Sequence, residues 1–261
     1  MLVENTLFGT VDKVAEAIEM LQTHEPSEGY YVAFSGGKDS VVVLDLVKRS
    51  GVKYKAYHNI VTIEPPDLMK FIYKEYPEVE MVHTKETMYS LIVKNGMPPL
   101  RHVRYCHRLL KRGGEVGVKV TGVRAEESVR RSKKQKWELN HKGTGYLLNI
   151  IFDWTTQEVW EYIHTYNIKY CKLYDEGKTR IGCLFCPFGR QEQMEDDLRR
   201  YPQVAKYLIT ACDRAIKNKR LRGKDINFRD GEDMFYWWIN HSRHKKDAMQ
   251  DLPGLFESED D

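Results

Sequence analysis

Six residues, Ser35-Gly36-Gly37-Lys38-Asp39-Ser40, lie between two apolar runs, Tyr30-Tyr31-Val32-Ala33-Phe34 and Val41-Val42-Val43-Leu44. That arrangement predicts a strand, a tight turn and the first turn of a helix. Two adjacent glycines allow a sharp backbone turn and leave no side chain in the way of an approaching anion. A helix start carries unpaired N–H groups and partial positive charge, which suits phosphate. Lys38 adds a full charge, and the hydroxyls of Ser35 and Ser40 can donate to phosphate oxygens. The segment therefore predicts an α/β chain that handles a nucleotide or pyrophosphate.

The pattern is neither the GxxxxGK[ST] loop nor GxGxxG. It resembles the SGGxDS pyrophosphate loop of the PP-loop superfamily, whose members include AMP-forming ATP pyrophosphatases and sulfonucleotide reductases. By that resemblance Ser35, Gly36, Gly37, Lys38, Asp39 and Ser40 bind ATP with Mg2+, and Lys38 and Asp39 act in catalysis.

Flanking segments supply the rest of such a fold. Val52–His58, Val79–His83 and Val118–Val123 read as strands, and residues 6–23, Asp67–Tyr76 and Met88–Lys94 as helices. Alternation of this kind predicts a doubly wound, mostly parallel sheet, with ligands at the carboxyl ends of its strands. Thr155-Thr156-Gln157-Glu158 has the form of a capping box opening a helix over Val159–Tyr166. From Met194 onward the chain reads as mainly helical and basic, closing in an acidic tail of Glu257, Glu259, Asp260 and Asp261 that is expected to be solvated. The expected organisation is a Rossmann-like nucleotide-binding domain over 1–190 and a C-terminal helical appendage over 191–261.

Gly122-Val123-Arg124-Ala125-Glu126-Glu127-Ser128-Val129-Arg130-Arg131 follows the 118–123 strand and offers a second wall to the site. It resembles the corresponding segment of the phosphoadenosine phosphosulfate (PAPS) reductase family, as does Asp153-Trp154-Thr155 with Val159-Trp160. The likeness places Gly122 near adenosine, Arg124 and Arg131 near phosphate or sulfate, and Glu127 and Ser128 in the nucleotide site. Arg124 is then expected to join Lys38 and Asp39 in catalysis. Trp154 and Trp160 read as core. His58 and Glu64, after the 52–58 strand, are further candidates for contacting substrate or magnesium.

The 261 residues include five cysteines, Cys106, Cys171, Cys183, Cys186 and Cys212. An odd number, with no signal-like N-terminus, argues for metal or redox chemistry over a disulfide framework. With no apolar run near the ~20 residues of a bilayer span, a cytoplasmic protein without a membrane partner is expected. Cys183-Leu184-Phe185-Cys186 can bind one metal centre with both thiolates. Cys212 falls on an apolar helical face and reads as core.

In the resembling family a cysteine at the position of Cys106 and a later CxxC pair converge beside the nucleotide. Some members carry tandem cysteines there and hold a [4Fe–4S] cluster; this chain has His107 in the second place. Cys106, Cys183 and Cys186 with Cys171 as a fourth ligand, a three-thiolate cluster with an open iron, a Cys3His zinc site, and unliganded thiols all remain open.

Sulfonucleotide reductases use a cysteine near the C-terminus as nucleophile, and this sequence has none after Cys212. The resemblance then implies an ATP pyrophosphatase that adenylates a substrate for sulfur transfer with an iron–sulfur centre, of the type that thiolates tRNA or sulfurates DNA. Its partners would be an adenine nucleotide, a nucleic-acid acceptor and a sulfur-donor protein. A sulfonucleotide (PAPS or APS) reductase and a non-catalytic nucleotide- or nucleic-acid-binding module are the alternatives. The basic residues around Cys106 (Arg101, Arg104, Arg108, Lys111, Arg112) and the run Phe235-Tyr236-Trp237-Trp238 bear on nucleic acid. Helical spacing favours a core plug for the aromatic run.

Overall fold

In a computed structural model, which describes residues 2–6, 9–110 and 116–241, the chain opens with a hairpin of β1 (Val3–Thr6) and β2 (Gly9–Asp12) leading into α1 (Lys13–Thr23). There follow β3 (Tyr30–Ala33), α2 (Lys38–Ser50), β4 (Tyr54–Asn59), α3 (Pro66–Glu75), β5 (Glu80–Val82), α4 (Met88–Asn95) and α5 (His107–Leu110). The remainder comprises β6 (Gly117–Val120), α6 (Val129–Ser132), β7 (Trp137–Leu139), β8 (Gly145–Leu148), α7 (Thr156–Thr165), α8 (Gln191–Arg200), α9 (Pro202–Leu221) and α10 (Gly231–His241). The acidic tail, Lys111 and Arg112 lie outside the described residues.

Six strands form one sheet in the order β5-β4-β3-β6-β8-β7, parallel throughout except for β7, which runs antiparallel to β8. The expected doubly wound, mostly parallel sheet is therefore present. β3 lies centrally, with Tyr31 in register with Lys55 on one side and Lys119 on the other. The helix expected over 6–23 is shorter, because the first residues pair as the hairpin. α1 begins at Lys13, where Asp12 accepts the N–H groups of Val14 and Ala15. The Thr155–Glu158 capping box is formed as expected and opens α7.

Two compact units result. Of the described residues, one contains those within 1–60, 66–83 and 116–182; the other contains those within 61–65, 84–110 and 183–241. The helical second unit takes in α4 and the Cys106 segment as well as α8, α9 and α10. In the first unit, the middle of α2 is core: Val41, Val42, Val43, Leu44, Leu46 and Val47 are all fully buried. Each such side chain contributes about 1.5–3 kcal/mol relative to exposure, so the helix that follows the glycine loop is held rigidly.

In the second unit, α9 buries Ala205, Leu208, Ala211, Cys212, Ala215 and Ile216 along one helical face. Cys212 is core, as expected. So are Phe235, Trp237 and Trp238, with Trp238 Nε1 donating to the Pro99 carbonyl at 2.8 Å. The aromatic run is thus a core plug, with Tyr236 as its one exposed member.

Candidate nucleotide site and thiol cluster

The loop after β3 turns through Gly36 at φ +74°, where an added Cβ would stand 2.8 Å from side-chain carbons of Leu68 and Ile72. Gly37 is the N-cap of α2 in extended conformation and offers no capping side chain. The Ser35 and Ser40 hydroxyls, expected to face phosphate, brace the loop: Ser35 donates to Ser40 Oγ at 3.2 Å, and Ser40 donates to the Gly37 carbonyl at 2.8 Å.

Lys38 is buried, with its ammonium 3.1 Å from Asp39 Oδ2. The other Asp39 oxygen accepts from Arg124 Nε at 2.6 Å. Arg124 was expected to meet phosphate or sulfate. Its guanidinium is 2% exposed and also donates to Glu126 Oε2 at 2.7 Å, the Trp154 carbonyl at 3.0 Å and Thr156 Oγ1 at 3.1 Å. Four of its five N–H donors therefore have protein acceptors. That geometry suits positioning: Arg124 ties the first turn of α2, through Asp39, to the start of α7.

Around Arg124 the remaining candidates serve the same scaffold. Glu127 accepts the Arg124 backbone N–H at 3.1 Å and pairs with the Arg131 guanidinium. Ser128 caps α6, accepting from the Arg131 N–H at 3.2 Å. Gly122 lets the backbone after β6 pass the start of α2, since a Cβ there would lie 3.2 Å from backbone and side-chain carbons of Asp39. Bonds from Thr156 and Arg124 hold the Glu126 carboxyl below its usual range. Burial and the nearby Arg180 cation press the Arg131 guanidinium down, with Asp39 opposing. Lys38, Arg124, Arg131 and Arg180 thus share one neighbourhood with Asp39, Glu126 and Glu127, four cations against three carboxylates, an excess that a bound anion would relieve.

One contributor had no sequence signal. The Tyr174 hydroxyl, 136 positions from the loop, accepts the Lys38 backbone N–H at 2.9 Å. His58 is buried, with Nδ1 3.0 Å from the Phe34 carbonyl oxygen.

The thiols divide between the units. In the second unit, Leu184 and Phe185 are buried, so the turn from Cys183 to Cys186 is anchored from within. Leu184 N–H donates to the Ile63 carbonyl at 2.8 Å, and Phe185 N–H, at φ +53°, donates to Asp197 Oδ2 at 3.1 Å. Burial and the neighbouring Cys186 push the Cys106 thiol up, against the pull of Arg104. Burial, Cys186, Glu64 and Cys106 push Cys183 up in the same way. These three thiols therefore lie within electrostatic reach of one another. Cys171 is fully buried in the first unit's core. Among the described residues no group of three or more His, Cys, Asp and Glu side chains is arranged to hold a metal ion as it stands. No helix among them is long and apolar enough to cross a membrane.

Comparison with known proteins gives this geometry a family. An uncharacterised protein of Methanocaldococcus jannaschii is 28% identical over 190 residues, covering 66% of this chain and 39% of that protein. The adenosine 5'-phosphosulfate reductase of Allochromatium vinosum is 24% identical over 188 residues, covering 66% of this chain and 73% of that enzyme. The FMN adenylyltransferase of Candida glabrata, solved with FAD and inorganic pyrophosphate, aligns with a TM-score of 0.49 at 16% identity over 66% of this chain and 62% of that one. The chain spans less than half the length of the first curated relatives it matches. The model of the phosphoadenosine phosphosulfate reductase domain matches residues 29–188, more than half of the sequence and the whole span of the loop, the Arg124 turn and the CxxC, so the chain belongs to the PAPS reductase family.

Proposed function

We propose that the first unit binds ATP with Mg2+ at residues 35–40 and works as an AMP-forming ATP pyrophosphatase serving sulfur transfer. The observation that carries this reading is the glycine-turned start of the buried helix α2, where Gly37 supplies no capping side chain and Lys38, Arg131 and Arg180 stand nearby. An acceptor oxygen attacks the α-phosphorus of ATP; the new O–P bond forms as the bond to the β-phosphate breaks, and pyrophosphate leaves. Lys38, the positive N-terminal end of α2 and Arg131 stabilise the negative charge gathering on the leaving group. Asp39 and Arg124 hold these donors in place. A sulfur nucleophile then displaces AMP from the activated carbon, forming C–S as C–O breaks. The relative named as an adenosine 5'-phosphosulfate reductase supports an adenine nucleotide as ligand.

The donor set of the second unit suits a metal–sulfur centre, because mutually repelling thiolates are relieved by a bound cation. Cys106, Cys183 and Cys186 would hold a [4Fe–4S] cluster, with zinc as the alternative. We leave Cys171 out of the set because its thiol is enclosed in an apolar core. A cluster would supply a site for sulfide. The partners of this reading are a nucleic-acid acceptor and a sulfur-donor protein, in the cytoplasm.

The test is to incubate the full chain with α-labelled ATP and candidate RNA or DNA acceptors, and to quantify AMP and pyrophosphate for wild type and Lys38→Ala. Equal release of both products, lost in the variant, supports the reading. Sulfite released from adenosine phosphosulfate without ATP turnover would instead make the chain a sulfonucleotide reductase. Nucleotide binding with neither activity would make it a binding module.

A further inference from the structure

Tyr174 lies in a short 3-10 turn, Lys172–Tyr174, whose ring is locked edge-on against Trp160 at 5.2 Å and 84°. Its hydroxyl oxygen accepts the Lys38 N–H at 2.9 Å and also the backbone N–H of Ile181. Two N–H donors fill the acceptor side of a phenol oxygen and leave its own proton to be placed. Among the described residues no acceptor takes that proton. The same oxygen lies 3.4 Å from where a Gly37 Cβ would stand, and Ser35 Oγ lies equally close to that point. The hydroxyl is therefore part of the cradle at the start of α2, beside Ser35 Oγ, where Gly37 supplies no side chain.

We propose that the Tyr174 hydroxyl is a phosphate-binding group, donating its proton to a phosphoryl oxygen of the nucleotide or pyrophosphate seated at the N-terminus of α2. This rests on the nucleotide-loop reading above and adds to it a donor from outside the loop. Burial, with the Asp39 charge nearby, pushes the phenol up to about 12, so the donated proton is present at any ordinary pH. Because Trp160 fixes the ring, the donor is in place before the ligand arrives and needs no ordering on binding. The two backbone N–H groups polarise the O–H bond and strengthen its donation to an anion.

The test measures inorganic pyrophosphate binding to the full chain by calorimetry, for wild type and Tyr174→Phe. Loss of a hydrogen bond to a charged group predicts an affinity weaker by roughly 10–100-fold. Unchanged affinity overturns the proposal. Tighter binding also overturns it, because the hydroxyl would then merely be occupying the anion's seat.

A fluorinated tyrosine at 174, with a phenol that ionises near neutral pH, separates donation from simple support of the loop. Relative to wild type, pyrophosphate binding should weaken as pH rises through that ionisation. A phenolate accepts N–H bonds better than a phenol does, so a purely supporting role would leave affinity unchanged or improved, and that result overturns the proposal. If the wild type binds neither pyrophosphate nor ATP, the nucleotide-loop reading falls as well. If the wild type binds and the variants match it, only the role of Tyr174 falls.

Discussion

Asp39 joins Lys38 to Arg124: one carboxylate oxygen is 3.1 Å from the Lys38 ammonium, and the other is 2.6 Å from Arg124 Nε. The acidic residue of the loop is therefore held by a buried cation from the turn after β6. A free loop carboxylate would repel phosphate; this one is shared between two cations and completes the frame around the helix start. The local charge stays positive because Arg131 and Arg180 stand nearby.

Arg124→Leu should be among the most damaging substitutions in the first unit. It leaves Asp39, Glu126, the Trp154 carbonyl and Thr156 without their shared donor. Removing one partner of a buried ion pair costs about 3–5 kcal/mol. Arg124→Lys should recover little, since one ammonium cannot reproduce a planar fork with four acceptors around it. Urea unfolding of both variants checks this, and a loss below about 1 kcal/mol in Arg124→Leu would contradict the positioning role.

Gly122→Ala tests the close approach of backbone to helix start. The new Cβ meets Asp39 carbons at 3.2 Å, so α2 or the turn must shift by a few tenths of an ångström. Overpacking of this size costs about 1–3 kcal/mol. Because the displaced residue belongs to the loop, ATP affinity should fall along with thermal stability. A variant that loses stability but binds ATP normally would show that the shift is absorbed elsewhere.

Glu158 sets a pH limit on the first unit. Burial presses its carboxyl up, but the Lys13 ammonium at 2.6 Å and the bonds from Thr155 outweigh that and bring it down to about 2. A carboxyl lowered on folding contributes stability that is fully present above its unfolded value, near 4.5, and is lost as pH falls toward 2. The contribution is on the order of 3 kcal/mol. Glu158→Gln should lower stability at pH 7 by that amount and flatten its dependence on pH between about 4.5 and 2. Parallel pH dependence in both proteins would refute the assignment.

Much of the first unit was legible because its signals are local. The glycine loop sits between runs that can only be strand and buried helix, and the Thr155–Glu158 box carries its own start signal. β7 and β8 carried no such signal: three and four residues long, they pair across a turn held by Asn140 and Gly145, and Glu138 and Tyr146 interrupt their apolar pattern. The hairpin at the N-terminus was hidden by an apolar spacing that also suits a helix. Tyr174 could not be read at all, since its partner is 136 residues away and no spacing rule links a tyrosine hydroxyl to a distant N–H. The second unit is assembled from three separated segments, so its composition follows from packing between them and not from any window of sequence.

Cys183→Ala and Cys171→Ala separate chemistry from packing among the thiols. Cys183 shares its surroundings with Cys106, Cys186 and Glu64, so its removal should abolish bound iron and acid-labile sulfide in anaerobically purified protein while disturbing the fold little. Cys171 is fully buried in the first unit's core, where the sulfur behaves as a small apolar group. Its truncation should cost about 1–2 kcal/mol in unfolding experiments and leave the metal content of the folded chain unchanged. Loss of iron in Cys171→Ala with stability intact would reverse this division and restore Cys171 as a fourth ligand. Zinc in place of iron, lost in Cys183→Ala, would keep the ligand set but make it structural, since a closed zinc site contributes folding energy and holds no sulfide.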